Sequence, residues 1–157
     1  MRFLAEIELV PASVPQTGTF LDAAEALVSH PVTTIAVLDG EERVVGLFGD
    51  ADLLGGFFPR YLAELRHTAF AGDADAILGE RTRAAAAEPV ETHMRPPVTL
   101  DEDTGAIHIA ERFLHCDFGA LPVLREERFV GMLGRAEFCR AVLGRWGGET
   151  TAPRAHS

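Results

Sequence analysis

Part of this chain is written twice, and that constrains its fold more than anything else in it. The stretch "EERVVGLFGDAD" (Glu41–Asp52) returns as "EERFVGMLGRAE" (Glu126–Glu137) at an offset of 85. Seven of the twelve positions are identical: Glu41, Glu42, Arg43, Val45, Gly46, Gly49 and Ala51 recur. Upstream the match continues at an offset of 86. "IAVL" (Ile35–Leu38) lies on "LPVL" (Leu121–Leu124), "AEAL" (Ala24–Leu27) on "AERF" (Ala110–Phe113), and "VPASV" (Val10–Val14) on "PPVTL" (Pro96–Leu100). The single-residue step falls at Asp39–Gly40, a turn-forming pair where one extra residue costs little. Two copies of one supersecondary unit fold by burying their apolar faces on each other.

Each copy has the same order of elements. A short extended segment follows a proline, around Ser13 or Thr99. An amphipathic helix comes next, with Phe20, Ala23, Ala24, Leu27 and Val28 on one face in the first copy. Ile107, Ala110, Phe113 and Leu114 take that role in the second. Thr19 and Asp103 are candidate caps at the helix starts. Two nearly continuously apolar strands form a hairpin, Thr34–Leu38 with Val44–Phe48 and Ala120–Leu124 with Phe129–Leu133. A last helix begins after Gly49 or Gly134, with an acid in its first turn where the helix dipole favours it. The division expected is a first repeat over 5–58, a helical insertion over 59–89, a second repeat over 90–146 and a disordered tail over 147–157. In the insertion, "PRYLAELRHTAF" and "DADAILGERTRAAAA" both read as helices, with Pro59 suited to a helix start.

Composition removes several classes of function. At 157 residues and 47% apolar, the chain can bury a core. No apolar run approaches the roughly 18–20 residues of a membrane span, and Glu6 and Glu8 argue against a signal peptide. A formal charge of −10 disfavours nucleic acid, whose binding rests on neutralising phosphates. All 14 basic residues are Arg, so no lysine is available for a Schiff base. Cys116 and Cys139 lack metal-type spacing and read as buried free thiols, which suits the cytoplasm. His108 and His115 are seven apart, too far along a helix to share a metal unaided, and with His93 they read as solvated or half-buried. The two carboxylates of "GDAD" are weak evidence for a cation, and no metal is expected. Phe57, Phe58 and Tyr61 read as core or dimer contacts. Nothing resembles a nucleophile–base–orienter set, so the chain is not expected to be an enzyme.

The ordered set of motifs resembles the CBS domain, and the pair resembles the tandem CBS (Bateman) module. "VETHMRPPVTL", with Met94 ahead of the first strand, is similar to that family's opening segment. "CDFGALPVL" is similar to its Gly-x-x-Pro-Val strand. "VVGLFGDADLL" and "FVGMLGRAEF" are similar to its Val-Gly-apolar-apolar-(Ser/Thr)-x-x-Asp segment. The resemblance covers roughly residues 8–146. It implies an α/β (α+β) fold: two β-α-β-β-α repeats in a pseudo-two-fold pair, with extra helices inserted between them. It also implies two clefts between the repeats that bind adenosine-containing ligands, association as a homodimer, and a regulatory role. With no other domain evident, the output passes to a separate, unidentified partner protein.

The chemistry of such a cleft fits only in part. One carboxylate can accept both hydroxyls of a ribose, and Asp52 lies where the family places that acid. Thr34, Ile35 and Ala36, with Gly119, Ala120, Leu121 and Pro122, can supply an apolar slot and backbone partners for adenine. Ser13 and Thr99 match a hydroxyl residue on the first strand. Phosphate needs a hydroxyl, a helix N-terminus or an Arg. The family's Ser/Thr is Gly49 in one repeat and Gly134 in the other, and the second acid is Glu137. Asp50 adds negative charge beside the first site; Arg135 suits a phosphate at the second. Asp52 and Glu137 equally suit a purely structural role at a helix start. No cofactor is required. AMP, ADP, ATP or S-adenosylmethionine would be a regulatory ligand, and the alternative is a dimerisation and docking module with empty clefts.

Overall fold

Each copy folds as a three-stranded sheet carrying two helices. The first has β1 (Ser13–Pro15), α1 (Phe20–Val28), β2 (Thr34–Leu38), β3 (Val44–Gly49) and α2 (Asp50–Phe57). Helix α3 (Ala71–Ala86) intervenes. The second has β4 (Leu100–Asp101), α4 (Ala106–Leu114), β5 (Ala120–Arg125), β6 (Arg128–Gly134) and α5 (Arg135–Val142). In both sheets the first strand runs parallel to the second, and the second antiparallel to the third. This is the β-α-β-β-α order expected, twice. The computed structural model describes residues 2–58 and 71–147, and only the backbone of 71–74. Expectations for Pro59, Tyr61, the helix over 59–70 and the tail beyond 147 fall outside the described residues.

The core lies between the two sheets. Ile35, Ala36, Val37, Leu47 and Phe48 from the first meet Ala120, Leu121, Val123, Met132 and Leu133 from the second, all essentially inaccessible. The continuous apolar strands are thus buried on both faces, by helices on one side and by the other sheet on the opposite one. Helix α1 adds Phe20, whose ring meets Phe48 and Phe57 edge-on at 5.5 and 5.1 Å. Phe57 is therefore a core contact, whereas Phe58 is exposed.

The helix faces need correction. Phe20, Ala23, Ala24 and Leu27 are buried as expected, but Val28 is 73% exposed. In α4 the buried pair is Ile109 and Phe113, while Ile107 and Leu114 are 78% and 80% exposed. Leu21 is 46% exposed. Positions 21 and 28, like 107 and 114, are seven apart and share a stripe that points outward. The two stripes also occupy equivalent places in the two repeats. The apolar period is helical as expected, but these helices are apolar on two faces, and only one faces the core.

The caps differ between copies. Thr19 Oγ1 accepts the Asp22 N–H at 3.1 Å and Asp22 Oδ2 accepts the Thr19 N–H at 2.9 Å, a complete capping box. Asp103 does not cap α4. Gly105 holds that position, and Asp103 accepts instead from Arg2 at 3.1 Å. Both cysteines are free, but Cys139 is exposed on α5 rather than buried.

The one-residue step between the copies is a difference in hairpin turn. The second hairpin turns through Glu126 and Glu127, with φ of 51° and 68°, a two-residue turn that matches strand twist. The first is one residue longer, with Glu42 at φ 64° and Asp39 Oδ1 accepting the Glu41 and Arg43 N–H groups at 2.8 and 2.9 Å. Those two bonds, the Arg43 one foremost, hold the Asp39 carboxyl below its ordinary range.

The repeats also exchange their leading segments. Val10, ahead of the first copy, pairs through both backbone groups with Met132 of β6, at 2.9 and 2.7 Å. Arg95, ahead of the second, pairs in the same way with Leu47 of β3, at 2.9 Å each. Val10 and Arg95 are therefore equivalent at an offset of 85, whereas Val14 and Leu100, at the same place in β1 and β4, are equivalent at 86. The alignment of Val10 with Pro96 was one residue out. This crossing explains the repeated Val-Gly. A Cβ on Gly46 would run into the Met94 side chain, and one on Gly131 would lie 2.7 Å from Leu9 Cβ. Glycine recurs because another backbone passes there.

Candidate functional site

The crossing carries Arg95 to the start of α2. Its Nε lies 3.0 Å from Asp52 Oδ1 and 3.2 Å from Oδ2. Asp52 Oδ2 also accepts the Gly49 N–H at 2.7 Å, doing for a glycine N-cap half of what a capping box does. The pair is partly enclosed, with the Asp52 side chain 11% and that of Arg95 33% exposed. The Arg95 guanidinium stacks over the Phe118 ring at 4.3 Å. Phe118 carbonyl oxygen in turn accepts from Arg135 Nη2 at 2.5 Å. One residue of the second copy's lead-in thus ties the first copy's acid to the loop before β5.

The equivalent place in the other half of the molecule is built differently. Val10 stands where Arg95 would be, and Val32 where Phe118 would be. Among the described residues Glu137 therefore has no cation across from it, and it pairs with Arg140 on its own helix instead. Gly134 gets no side-chain cap. The two acids share a sequence position and do different work. Asp52→Ala is expected to lower stability by about 1–2 kcal/mol, through a lost cap and an unpaired, half-buried Arg95. Glu137→Ala, removing an exposed i,i+3 pair, should change it by under about 0.5 kcal/mol. Denaturant titration of the two variants checks this difference, and equal costs would contradict it.

The other expected site residues fall into three groups. Ile35, Ala36, Ala120, Leu121 and Pro122 have buried side chains, so what they can offer a ligand is backbone. Thr34 is buried beside Gly49. Gly119 packs against Thr33, whose hydroxyl takes the space of a Cβ. The Thr33 and Gly119 carbonyls accept the Asp50 and Arg135 N–H groups at 3.0 and 2.9 Å, fixing the starts of α2 and α5 equivalently. Ser13 and Thr99 are half-buried on or beside the first strand of each sheet, and Asp50 is exposed. Arg135, expected to serve the second half-site, donates to the carbonyl of Phe118, the residue whose ring Arg95 covers. Arg95 itself was missed. Its signal was present: in the 85-residue register, "LVP" (Leu9–Pro11) lies on "MRP" (Met94–Pro96), and the one charge in that apolar segment is Arg95.

Of the histidines, His93 is half-buried with its ring 4.6 Å from that of Phe20, while His108 and His115 are exposed. Among the described residues no group of three His, Cys, Asp or Glu side chains could hold a metal ion. A cavity of ≈ 750 Å³ opens between Phe3, Ile107 and Trp146, touching none of the expected site residues.

Comparison with known proteins follows the same two-fold division. The CBS domain family matches residues 7–57 and again 90–144. No curated protein matches the chain. The CBS-pair protein CBSX2 from Arabidopsis thaliana is 27% identical over 87% of this chain and 91% of its own, with a TM-score of 0.64. A CBS domain protein from Pyrobaculum aerophilum, complexed with AMP, is 19% identical over 94% of this chain and 99% of its own, with a TM-score of 0.67. A CBS-domain containing protein from Agrobacterium tumefaciens is 17% identical over 88% and 89%, with a TM-score of 0.62. With the family matched over more than half of its length, and the same fold in each of these structures, the chain belongs to the CBS domain family, as a tandem pair of CBS repeats.

Proposed function

We propose that this chain is a regulatory module that binds an adenosine-containing ligand at Asp52 and passes the change to a partner protein. One observation carries the reading: a carboxylate set between the two repeats, oriented by the Gly49 N–H, whose oxygens face Arg95 here and would accept ribose hydroxyls in its place. A ribose presents two adjacent hydroxyl donors to such a group. Buried strand residues around it leave backbone groups to meet a base. The likeness to the AMP complex from Pyrobaculum aerophilum, and to CBSX2 in complex with AMP, supports an adenine nucleotide as the ligand class. Ligand binding would bias the angle between the repeats, because the residues at Asp52 come from both of them. No catalytic role is part of the proposal. The free Cys116 and Cys139 suit the reducing cytoplasm.

The test is thermal unfolding with AMP, ADP, ATP and S-adenosylmethionine at millimolar concentration. A ligand at 100 times its Kd adds about 2.7 kcal/mol. For a chain of this size that raises the midpoint by roughly 5–10 °C. A shift with none of the four removes the reading for these ligands.

A second reading has its own support. Leu21, Val28, Ile107 and Leu114 form two equivalent exposed apolar stripes, which suit a homodimer built on the internal two-fold. Dimerisation is compatible with ligand sensing. Without ligand binding, it would make the chain an interaction module alone.

A further inference from the structure

Asp52 already has an occupant. Arg95 sits on the carboxylate oxygens that a ribose would take, so on the reading of this site as nucleotide-binding, ribose and Arg95 compete. The pairing uses Nε alone. Among the described residues no hydrogen bond ends on Nη1 or Nη2 of Arg95. Nη2 lies 3.3 Å from where a Cβ on Gly49 would be, at the start of α2, and Gly49 itself offers no side-chain donor. The guanidinium is held over the Phe118 ring and its backbone is fixed to Leu47, so it can turn away from Asp52 without leaving the site. Arg135 donates to the carbonyl of the same Phe118.

We infer that Arg95 sets the class of ligand: it closes the site against neutral nucleosides and opens it to an adenosine carrying a phosphate. A neutral nucleoside that takes Asp52 breaks an ion pair and returns nothing to the guanidinium. A nucleotide breaks the same pair and replaces it with a phosphate oxygen, which a planar guanidinium binds in the same bidentate way as a carboxylate. S-adenosylmethionine carries a sulfonium where a nucleotide carries its first phosphate, and its one carboxylate lies farther along the side chain, so it offsets the broken pair less well. Asp50, exposed on the same turn, opposes further phosphates, so a monophosphate fits better than a triphosphate. The other half-site has Val10 in place of Arg95 and lacks this selection.

The test is calorimetric titration of AMP and of adenosine into the wild type, Arg95→Gln and Arg95→Lys. Arg95 bonds Leu47 through its main chain, so the variants keep that pairing, and thermal unfolding confirms that each is folded. The wild type should prefer AMP by about tenfold or more, the difference one charge-assisted contact makes. In Arg95→Gln adenosine should bind more tightly than in the wild type, and the preference should fall to within about threefold. Arg95→Lys, which keeps the charge, should retain most of it. Adenosine binding by Arg95→Gln but not by the wild type also supports the inference. An AMP preference unchanged in Arg95→Gln overturns the inference and leaves the nucleotide reading intact. No binding of either compound to any of the three proteins removes both.

Discussion

Gly131→Ala is expected to lower the thermal midpoint by roughly 5–10 °C, and Gly46→Ala by less. Both glycines lie under the lead-in of the other repeat, so a methyl group at either must displace something. At Gly131 the obstacle is Leu9 Cβ at 2.7 Å, with Val10 carbonyl oxygen at 3.4 Å. Those atoms are fixed to a backbone that is bonded to Met132 on both sides of Val10. The lead-in must lift, and its two hydrogen bonds lengthen. At Gly46 the obstacle is mainly the end of the Met94 side chain, which is unbranched and can swing aside. Overpacking of this kind costs about 1–3 kcal/mol, and Gly131 should lie at the upper end. At 2–4 °C per kcal/mol for a chain of this length, the shift follows. Neither glycine has a positive φ, so backbone strain does not contribute. Equal shifts for the two variants would show that the crossing segments are looser than their hydrogen bonds indicate.

On the proposal that the exposed stripes form a homodimer, the wild type should sediment near twice its 17.0 kDa chain mass, and Ile107→Glu combined with Leu114→Glu should make it a monomer. Both side chains are about four-fifths exposed, so the substitutions remove nothing from the core. If they are buried between two copies, each contributes about 1.5–3 kcal/mol of apolar burial. The glutamates would then place unpaired charge in the contact, costing several kcal/mol more. Leu21→Glu with Val28→Glu should act in the same direction, since that stripe is equivalent under the internal two-fold. Analytical ultracentrifugation at micromolar concentration reads the result. A wild type that sediments as a monomer, or a double variant that stays dimeric, would contradict the assignment of these stripes to a dimer.

How much of this was legible in the sequence depends on how far apart the interacting residues lie. The hairpins, the helices and their order follow from local period and from the repeat, and the strand limits agree to within one residue at most ends. The exposed half of α4 was misjudged, because Ile107 and Leu114 are as apolar as the residues that face the core. A period identifies a stripe but not which of two stripes is inside. Asp52 was legible as an acid at a helix start. Its partner was not, because Arg95 lies 43 positions away and arrives through a strand exchange. Correct register in the lead-in would have pointed to it, since Arg95 stands opposite Val10. Glu137 shares the sequence position of Asp52, but Val10 rather than an arginine lies at the equivalent of Arg95, and Glu137 turns to Arg140 on its own helix.

The most direct test of the account is titration of AMP into the wild type and into Asp52→Ala, followed by calorimetry. Saturable binding to the wild type is expected, weakened at least about tenfold in Asp52→Ala, since each hydrogen bond to a charged group is worth about 1.5–3 kcal/mol. AMP binding of equal strength to both proteins would place the ligand somewhere other than Asp52. No binding to the wild type at millimolar AMP would contradict an AMP sensor and leave the paired repeats as a docking module.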